Sequence, residues 1–224
     1  QSIAPIMGEN DKRIGLVVVF QDTTDRRKLL RQLRYQAHHD ALTKLINRYE
    51  FERRLKAALQ TASDGQRRHV LAYLDLDQFK LVNDTSGHEA GDQLLRSLAA
   101  MLRSKVRKGD TLARLGGDEF ALLMEQTAMA QAVERVKGLR TAISEYRFQW
   151  EGNTFTLGVS VGLIELNASS GPPQEILRAA DQACYMAKSK GRNFIQVYEE
   201  GDEEASYWLT QMQWVNRLTQ AIDE

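Results

Sequence analysis

The chain of 224 residues has no surplus of charge of either sign: 30 basic residues meet 30 acidic ones. No overall field therefore draws it to nucleic acid or to an anionic membrane, and contact with either would have to be local. Long apolar runs are also missing. Near the start the longest, Gly15-Leu-Val-Val-Val-Phe20, falls far short of the ~18 residues that a membrane span needs. The single cysteine, Cys184, cannot form an internal disulfide and suits a reducing, cytoplasmic setting. The four histidines, His38, His39, His69 and His88, follow no metal-box spacing, which argues against zinc. No basic-then-apolar leader follows Gln1, and the chain reads as a piece of a longer protein. What is present is 42% hydrophobic and 27% charged, enough for one sizeable domain with appendages.

Four zones follow from the pattern. Ile14 to Gln21, after the turn-like Gly8-Glu-Asn-Asp11, is predicted as the last strand of a domain whose body lies elsewhere. Asp22-Thr-Thr-Asp25 then offers an N-cap to a helix in which Leu30, Leu33, Ala37 and Asp40 step by three, four and three. That seam is too short to pair stably alone. From Asp40 to about Glu199, helical periods alternate with strand-like runs, with one hairpin in the middle at 112–124. This pattern predicts an α/β fold with helices packed on a sheet. After the acidic break at Glu199, residues Trp208, Met212, Val215 and Leu218 trace an amphipathic helix.

Within the third zone, carboxylates stand where apolar runs end. In Val70-Leu-Ala-Tyr-Leu-Asp-Leu-Asp-Gln-Phe79 the alternation puts Asp75 and Asp77 on one face, ~7 Å apart. Alone, they could be no more than a solvated strand end. Thr111-Leu-Ala-Arg-Leu-Gly-Gly-Asp-Glu-Phe-Ala-Leu-Leu-Met124 adds Asp118 and Glu119 at the tip of a hairpin, where two glycines permit a tight turn. Three or four acids converging from two strands without a basic partner would need a cation. An all-oxygen set fits Mg²⁺, which commonly takes phosphate oxygens as its remaining ligands.

Gly116-Gly-Asp-Glu-Phe120 resembles the signature of the GGDEF family, the diguanylate cyclases, and other motifs extend the likeness in order. Asp40-Ala-Leu-Thr-Lys-Leu-Ile-Asn-Arg48 is similar to that family's opening motif, Asp75-Leu-Asp-Gln-Phe-Lys80 to its first metal-binding strand, and Gly87-His-Glu-Ala-Gly-Asp92 to its base-binding turn. The resemblance covers roughly residues 40–198. It implies a nucleotidyl-cyclase-like palm, a central mostly antiparallel sheet surrounded by helices, and condensation of two GTP into cyclic di-GMP. It also implies Mg²⁺, or Mn²⁺ in its place, on Asp75, the Leu76 carbonyl, Asp118 and Glu119, with the two hairpin acids catalytic. Asp77 matches the motif but stands behind the ligands.

For the nucleotide, the resemblance assigns Phe79, Lys80, Asn83, His88, Asp92, Lys188 and Arg192. The chemistry of the guanine edge agrees. Its N1–H and N2 amine are two donors that a carboxylate such as Asp92 accepts side by side, and the Asn83 amide can donate to a ring acceptor. Plainer roles exist: Asn83 could end a helix, and Asp92 could favour a helix dipole. Lys188 and Arg192 share a face at i,i+4 but flank the helix-ending Gly191, and basic residues before such a glycine also serve as caps. Cys184 lies in the apolar series Leu177, Ala180, Cys184, Ala187 and reads as core. Arg107-Lys-Gly-Asp110 is similar to the family's inhibitory product site, although a surface ion pair has the same spacing.

The ends resemble neighbours of such domains. Residues 15–27 look like the exit of a PAS sensor, and residues 207–223 look like a helix leading into an EAL phosphodiesterase domain. The expected organisation is a sensor remnant at 1–22, a signalling helix at 23–39, the catalytic domain at 40–199 and a linker helix at 200–224. The expected partners are GTP, cyclic di-GMP and a second copy of the chain paired through the signalling helix, without nucleic acid or membrane contact. The alternative is a regulatory module that binds GTP or cyclic di-GMP and controls a phosphodiesterase domain.

Overall fold

The computed structural model describes residues 2–7, 13–19, 24–63 and 67–199. The chain divides into two compact units, Gln1–Ala37 and His38–Glu224. In the first, β1 (Ser2–Met7) pairs antiparallel with β2 (Arg13–Val19), and α1 (Thr24–His38) follows. The strand expected at 14–21 is thus one arm of a pair whose other arm, β1, has no clean alternation to announce it. Leu29 and Leu33 of α1 are exposed, while the side chain of Leu30 and the cap residues 22–23 lie outside the described residues. So does the expected linker helix at 200–224.

The second unit is built on a five-stranded sheet. In chain order it holds α2 (Arg48–Ser63), β3 (His69–Asp77), α3 (Phe79–Lys105), β4 (Thr111–Gly116), β5 (Glu119–Met124) and α4 (Met129–Glu145). Then come β6 (Phe148–Trp150), β7 (Asn153–Phe155), β8 (Gly158–Leu166), α5 (Pro173–Ser189) and β9 (Ile195–Val197). The sheet order is β4-β5-β3-β8-β9, antiparallel except for the β8–β9 pair. This is the expected helix-covered, mostly antiparallel sheet.

Alternation along β3 shows why the core has two halves. Val70, Ala72, Leu74 and Leu76 pack with α3 and α4 residues such as Leu94, Leu98 and Val136. Leu71 and Tyr73 face the other way, against Phe51 and Leu55 of α2 and Ile176 and Ala180 of α5. A strand covered on both faces must be apolar at nearly every position, which is why β3 reads as an unbroken run until its acids. The run expected as one strand from Thr154 to Leu166 is two: β7 pairs with β6 in a separate ribbon, and β8 enters the main sheet. The β6–β7 turn uses Glu151 at φ 45° and Gly152 at φ 85°. Two positive φ values are what a tight hairpin turn needs, and Glu at the first position hid it from the sequence reading.

Candidate active site

The site lies where β3 ends beside the β4–β5 turn. Asp75 is the register partner of Glu119, and the Leu76 N–H donates to the Asp118 carbonyl at 3.3 Å, which holds the turn against the central strand. Gly117 makes the turn at φ 46°, with Gly116 at φ 154°. A Cβ at either glycine would meet no heavy atom within 4 Å, so the backbone conformation, rather than space, is what favours glycine. The strand end and turn, together with α5 and the loop after it, enclose a cavity of about 170 Å³. Asp75, Asp118, Lys80, Lys188 and Arg192 line it, with the segment from Leu76 to Phe79.

The electrostatics correct one expectation, since the acids do have basic partners. Lys188 Nζ donates to Asp75 Oδ2 at 2.6 Å, and Arg48 reaches Glu119 at 3.4 Å. Among the described residues no three acids, histidines or cysteines gather closely enough to hold a metal ion. The donor chemistry still fits a hard cation. Burial, with the charges of Asp118 and Glu119, pushes the Asp75 carboxyl up to about 6 despite Lys188. That carboxylate is short of positive charge, which a divalent ion at the cavity would supply.

Asp77 leaves the strand on the same side but is buried, accepting from the Ser160 hydroxyl and the Asn193 N–H, each at 2.8 Å. It is a structural anchor in the wall of the cavity. Sequence reasoning missed Tyr73, whose hydroxyl donates to Glu119, and Asp181, which stands within electrostatic reach of Glu119, Lys188 and Arg48. The available signal for Asp181 was its spacing of three and seven from Cys184 and Lys188 on one helix face. Cys184 is core as expected: it is 1% exposed, burial pushes its thiol pKa up, and it donates to the Ser160 carbonyl at 3.2 Å.

Next to the cavity, α3 bends at Gly87, which has φ 81° and ψ 166°. The helix expected from Ala90 therefore has an earlier segment beginning at Phe79, and the bend folds the two segments together. A Cβ on Gly91 would lie 2.0 Å from Asn83 Oδ1 and 3.0 Å from the Phe79 ring. Gly91 is thus what allows Asn83 and Phe79 to sit beside the segment carrying Asp92. Asp92 lies beyond the first turn of the second segment and pairs with Arg96 at 3.8 Å, which weakens the helix-dipole explanation for it. His88 is exposed next to the bend.

The Arg107–Asp110 ion pair forms, with Arg107 Nε 2.9 Å from Asp110 Oδ1. Arg107 also donates to the Glu125 carbonyl and the Thr127 hydroxyl, while Arg135 holds the other Asp110 oxygen. Arg107, Arg103, Arg54 and Lys108 line a concave surface of about 450 Å³ with Asp110.

A palm sheet that ends in carboxylates beside a glycine turn, with phosphate-sized basic groups around it, defines the class. The profile described as "Diguanylate cyclase, GGDEF domain" matches residues 37–194, and the chain belongs to that family. It is 45% identical over 198 residues, 88% of its length, to the probable diguanylate cyclase DgcE of Escherichia coli K12. It is 36% identical over 225 residues to the cyclic di-GMP phosphodiesterase PdeB of Shewanella oneidensis. The chain spans only 18% and 26% of those two relatives. In structure it resembles the coiled coil and GGDEF domain of DgcB from Caulobacter crescentus in complex with c-di-GMP. That match has a TM-score of 0.72 at 31% identity and covers 77% of this chain and 92% of that one. No helix among the described residues is long and apolar enough to cross a membrane.

Proposed function

We propose that this chain is a diguanylate cyclase domain that condenses two GTP into cyclic di-GMP with release of two pyrophosphates. The observation that carries the reading is the single cavity shared by Asp75, Asp118, Lys80, Lys188 and Arg192. Acids short of positive charge stand there beside cations suited to a triphosphate. Asp75, the Leu76 carbonyl, Asp118 and Glu119 would hold Mg²⁺ or Mn²⁺. Such an ion, when bound, lowers the pKa of an attacking hydroxyl and neutralises the leaving pyrophosphate. Lys80, Lys188 and Arg192 bind the phosphates, and release of Lys188 from Asp75 makes it available to them. Asn83 and Asp92 select guanine, with Phe79 and His88 flanking the base.

Each domain carries one such set and holds one GTP, so the product requires two domains facing each other, with each 3′-hydroxyl in line with the partner's α-phosphate. Pairing through α1 supplies that encounter, under the control of a PAS-like unit. The test is cyclic di-GMP formation from GTP and Mg²⁺ by the purified chain across a dilution series. Specific activity that persists in a demonstrably monomeric range would reject the two-domain scheme; absence of product would reject the cyclase reading.

Product inhibition at Arg107 and Asp110 rests on the basic concave surface around them. Because Asp110 is already held by two arginines, a ligand there must exchange those bonds. Arg107→Ala should relieve inhibition while preserving the initial rate, as read from progress curves with added product. A second reading, regulation of a phosphodiesterase domain, draws support from PdeB, to which the chain aligns along its length. A site that binds GTP without turnover would favour it.

A further inference from the structure

We propose that Asp77 is a positioning residue: through the Asn193 amide it fixes the loop after α5 in the conformation that presents Arg192 to the phosphates of the nucleotide. The inference rests on the triphosphate reading of the cavity. Arg192 and Asn193 are consecutive non-glycine residues at φ 63° and φ 47°, a backbone region that an Arg side chain disfavours and Asn tolerates singly. Two such residues in succession persist only where surrounding bonds over-determine them. Asp77 Oδ2 supplies one of those bonds by accepting the Asn193 N–H, and Arg140 supplies another by donating to the Asn193 carbonyl at 3.2 Å.

The carboxylate is itself fixed. It is 5% exposed, and its other oxygen accepts from Ser160 of β8. Close approach of the loop depends on Gly158, where a Cβ would lie 2.7 Å from Asp77 Oδ2 and 3.1 Å from Asn193 Cβ. One residue beyond this clamp stands Arg192, exposed and lining the cavity with Lys188, Lys80 and Asp75. A strained loop fastened by a buried charge, with a cation at its tip, is preorganised for an anion.

Asp77→Asn keeps the volume but removes the charge: the Ser160 hydroxyl, which also accepts, can pair with the new amide N–H, while the charge-assisted bond from the Asn193 N–H becomes a weaker, neutral one. With Mg²⁺ present, affinity for a non-hydrolysable GTP analogue, measured by calorimetry, should fall about tenfold. Affinity for guanosine, measured by ligand-detected NMR, should stay at the parental value because it carries no phosphate. In an Arg192→Ala background Asp77→Asn should add no further loss. Gly158→Ala, which changes no charge, should reproduce the pattern by pushing the loop away. Should Asp77→Asn fail to fold, Ser160→Ala applies the same comparison with a milder lesion. A parental chain that binds the analogue while Asp77→Asn binds it equally well overturns the inference. So do additive losses with Arg192→Ala, or equal losses for analogue and guanosine. Failure of the parental chain to bind any guanine nucleotide would instead sink the cavity reading itself.

Discussion

Two carboxylates of this fold, Glu50 at the start of α2 and Asp75 at the end of β3, are both shielded from solvent and both touched by a base, yet they are poised oppositely. Glu50 accepts from Arg53 Nε and Nη2, each at 2.7 Å, and from Arg54 Nε at 2.9 Å. Those arginine bonds outweigh burial and hold its carboxyl down at about 2. Asp75 has one cation and two neighbouring acids, and burial pushes it up to about 6. Around Glu50 the cations outnumber the acid; around Asp75 the acids outnumber the cation. Folding alone would favour the first arrangement everywhere. The second stores unfavourable charge that a bound cation or nucleotide complex would relieve.

The largest effect should come from discharging the second region. Asp118→Asn or Asp75→Asn should cut turnover at least about a hundredfold. Asp75→Asn should leave the melting temperature unchanged or raise it, because a neutral amide does not repel Asp118 and Glu119. Near-parental turnover would break the metal assignment. A melting temperature lowered as far as that of a Glu50 variant would erase the contrast between the regions.

Next in size, Glu50→Gln should cost about 1 to 2 kcal/mol of stability, since the two arginines keep only neutral acceptors. Turnover per folded molecule should stay parental. The same bonds set a pH signature. With the folded carboxyl at about 2 and the ordinary value at 4.5, this stabilisation is complete above about pH 4.5 and is lost as pH falls toward 2. Denaturant melts from pH 6 to 2.5 should show that slope in the parent and a shallower one in Glu50→Gln. Identical slopes would place the acid sensitivity elsewhere.

Much of this was legible in the sequence, for identifiable reasons. Strand β3 announced itself because burial on both faces leaves almost no polar residue before Asp75, and the β4–β5 turn because two glycines interrupt apolar runs. The acids and nucleotide contacts proposed for the site stood out as motifs, whereas Tyr73 and Asp181 did not. Hidden were the cations that answer the acids: Lys188 lies 113 positions from Asp75 and Arg48 lies 71 from Glu119, distances over which pattern carries no pairing information. The turn at Glu151 and Gly152 was obscured because its first residue is not one that usually adopts positive φ. Asp77 looked like Asp75 in sequence; only the approach of Ser160 and Asn193 separates an anchor bonded on both oxygens from an acid answered by Lys188.

The smallest effect gives the finest test of the comparison, because, besides Arg192 and Asn193 at the cavity, a non-glycine residue in the left-handed conformation leads into the first helix of each region. Lys44, before α2, has φ 60°, and Gln78, between β3 and α3, has φ 63°. Glycine at either position removes the Cβ penalty and adds freedom to the unfolded chain, so the two effects partly cancel. Lys44→Gly and Gln78→Gly should therefore change stability by similar amounts, within about 1 kcal/mol. The Lys44 bond to the Ala41 carbonyl is exposed and adds little. Turnover should separate them. Gln78 lines the cavity between Asp77 and Phe79, so loosening its backbone blurs the placement of Lys80 relative to Asp75. Lys44 lies in a turn fastened by Asp40, which accepts from the Thr43 N–H at 2.7 Å and from Arg114 at 3.1 Å. Lys44 itself bonds only within this turn, to Asp40 and Ala41, and the turn reaches the cavity only indirectly, through Arg114, which also donates to the Gly117 carbonyl at 2.8 Å. Gln78→Gly should thus lower turnover severalfold at parental stability, and Lys44→Gly should not. Equal turnover in the two variants would mean that strain at the end of β3 is ordinary turn geometry with no part in positioning the site.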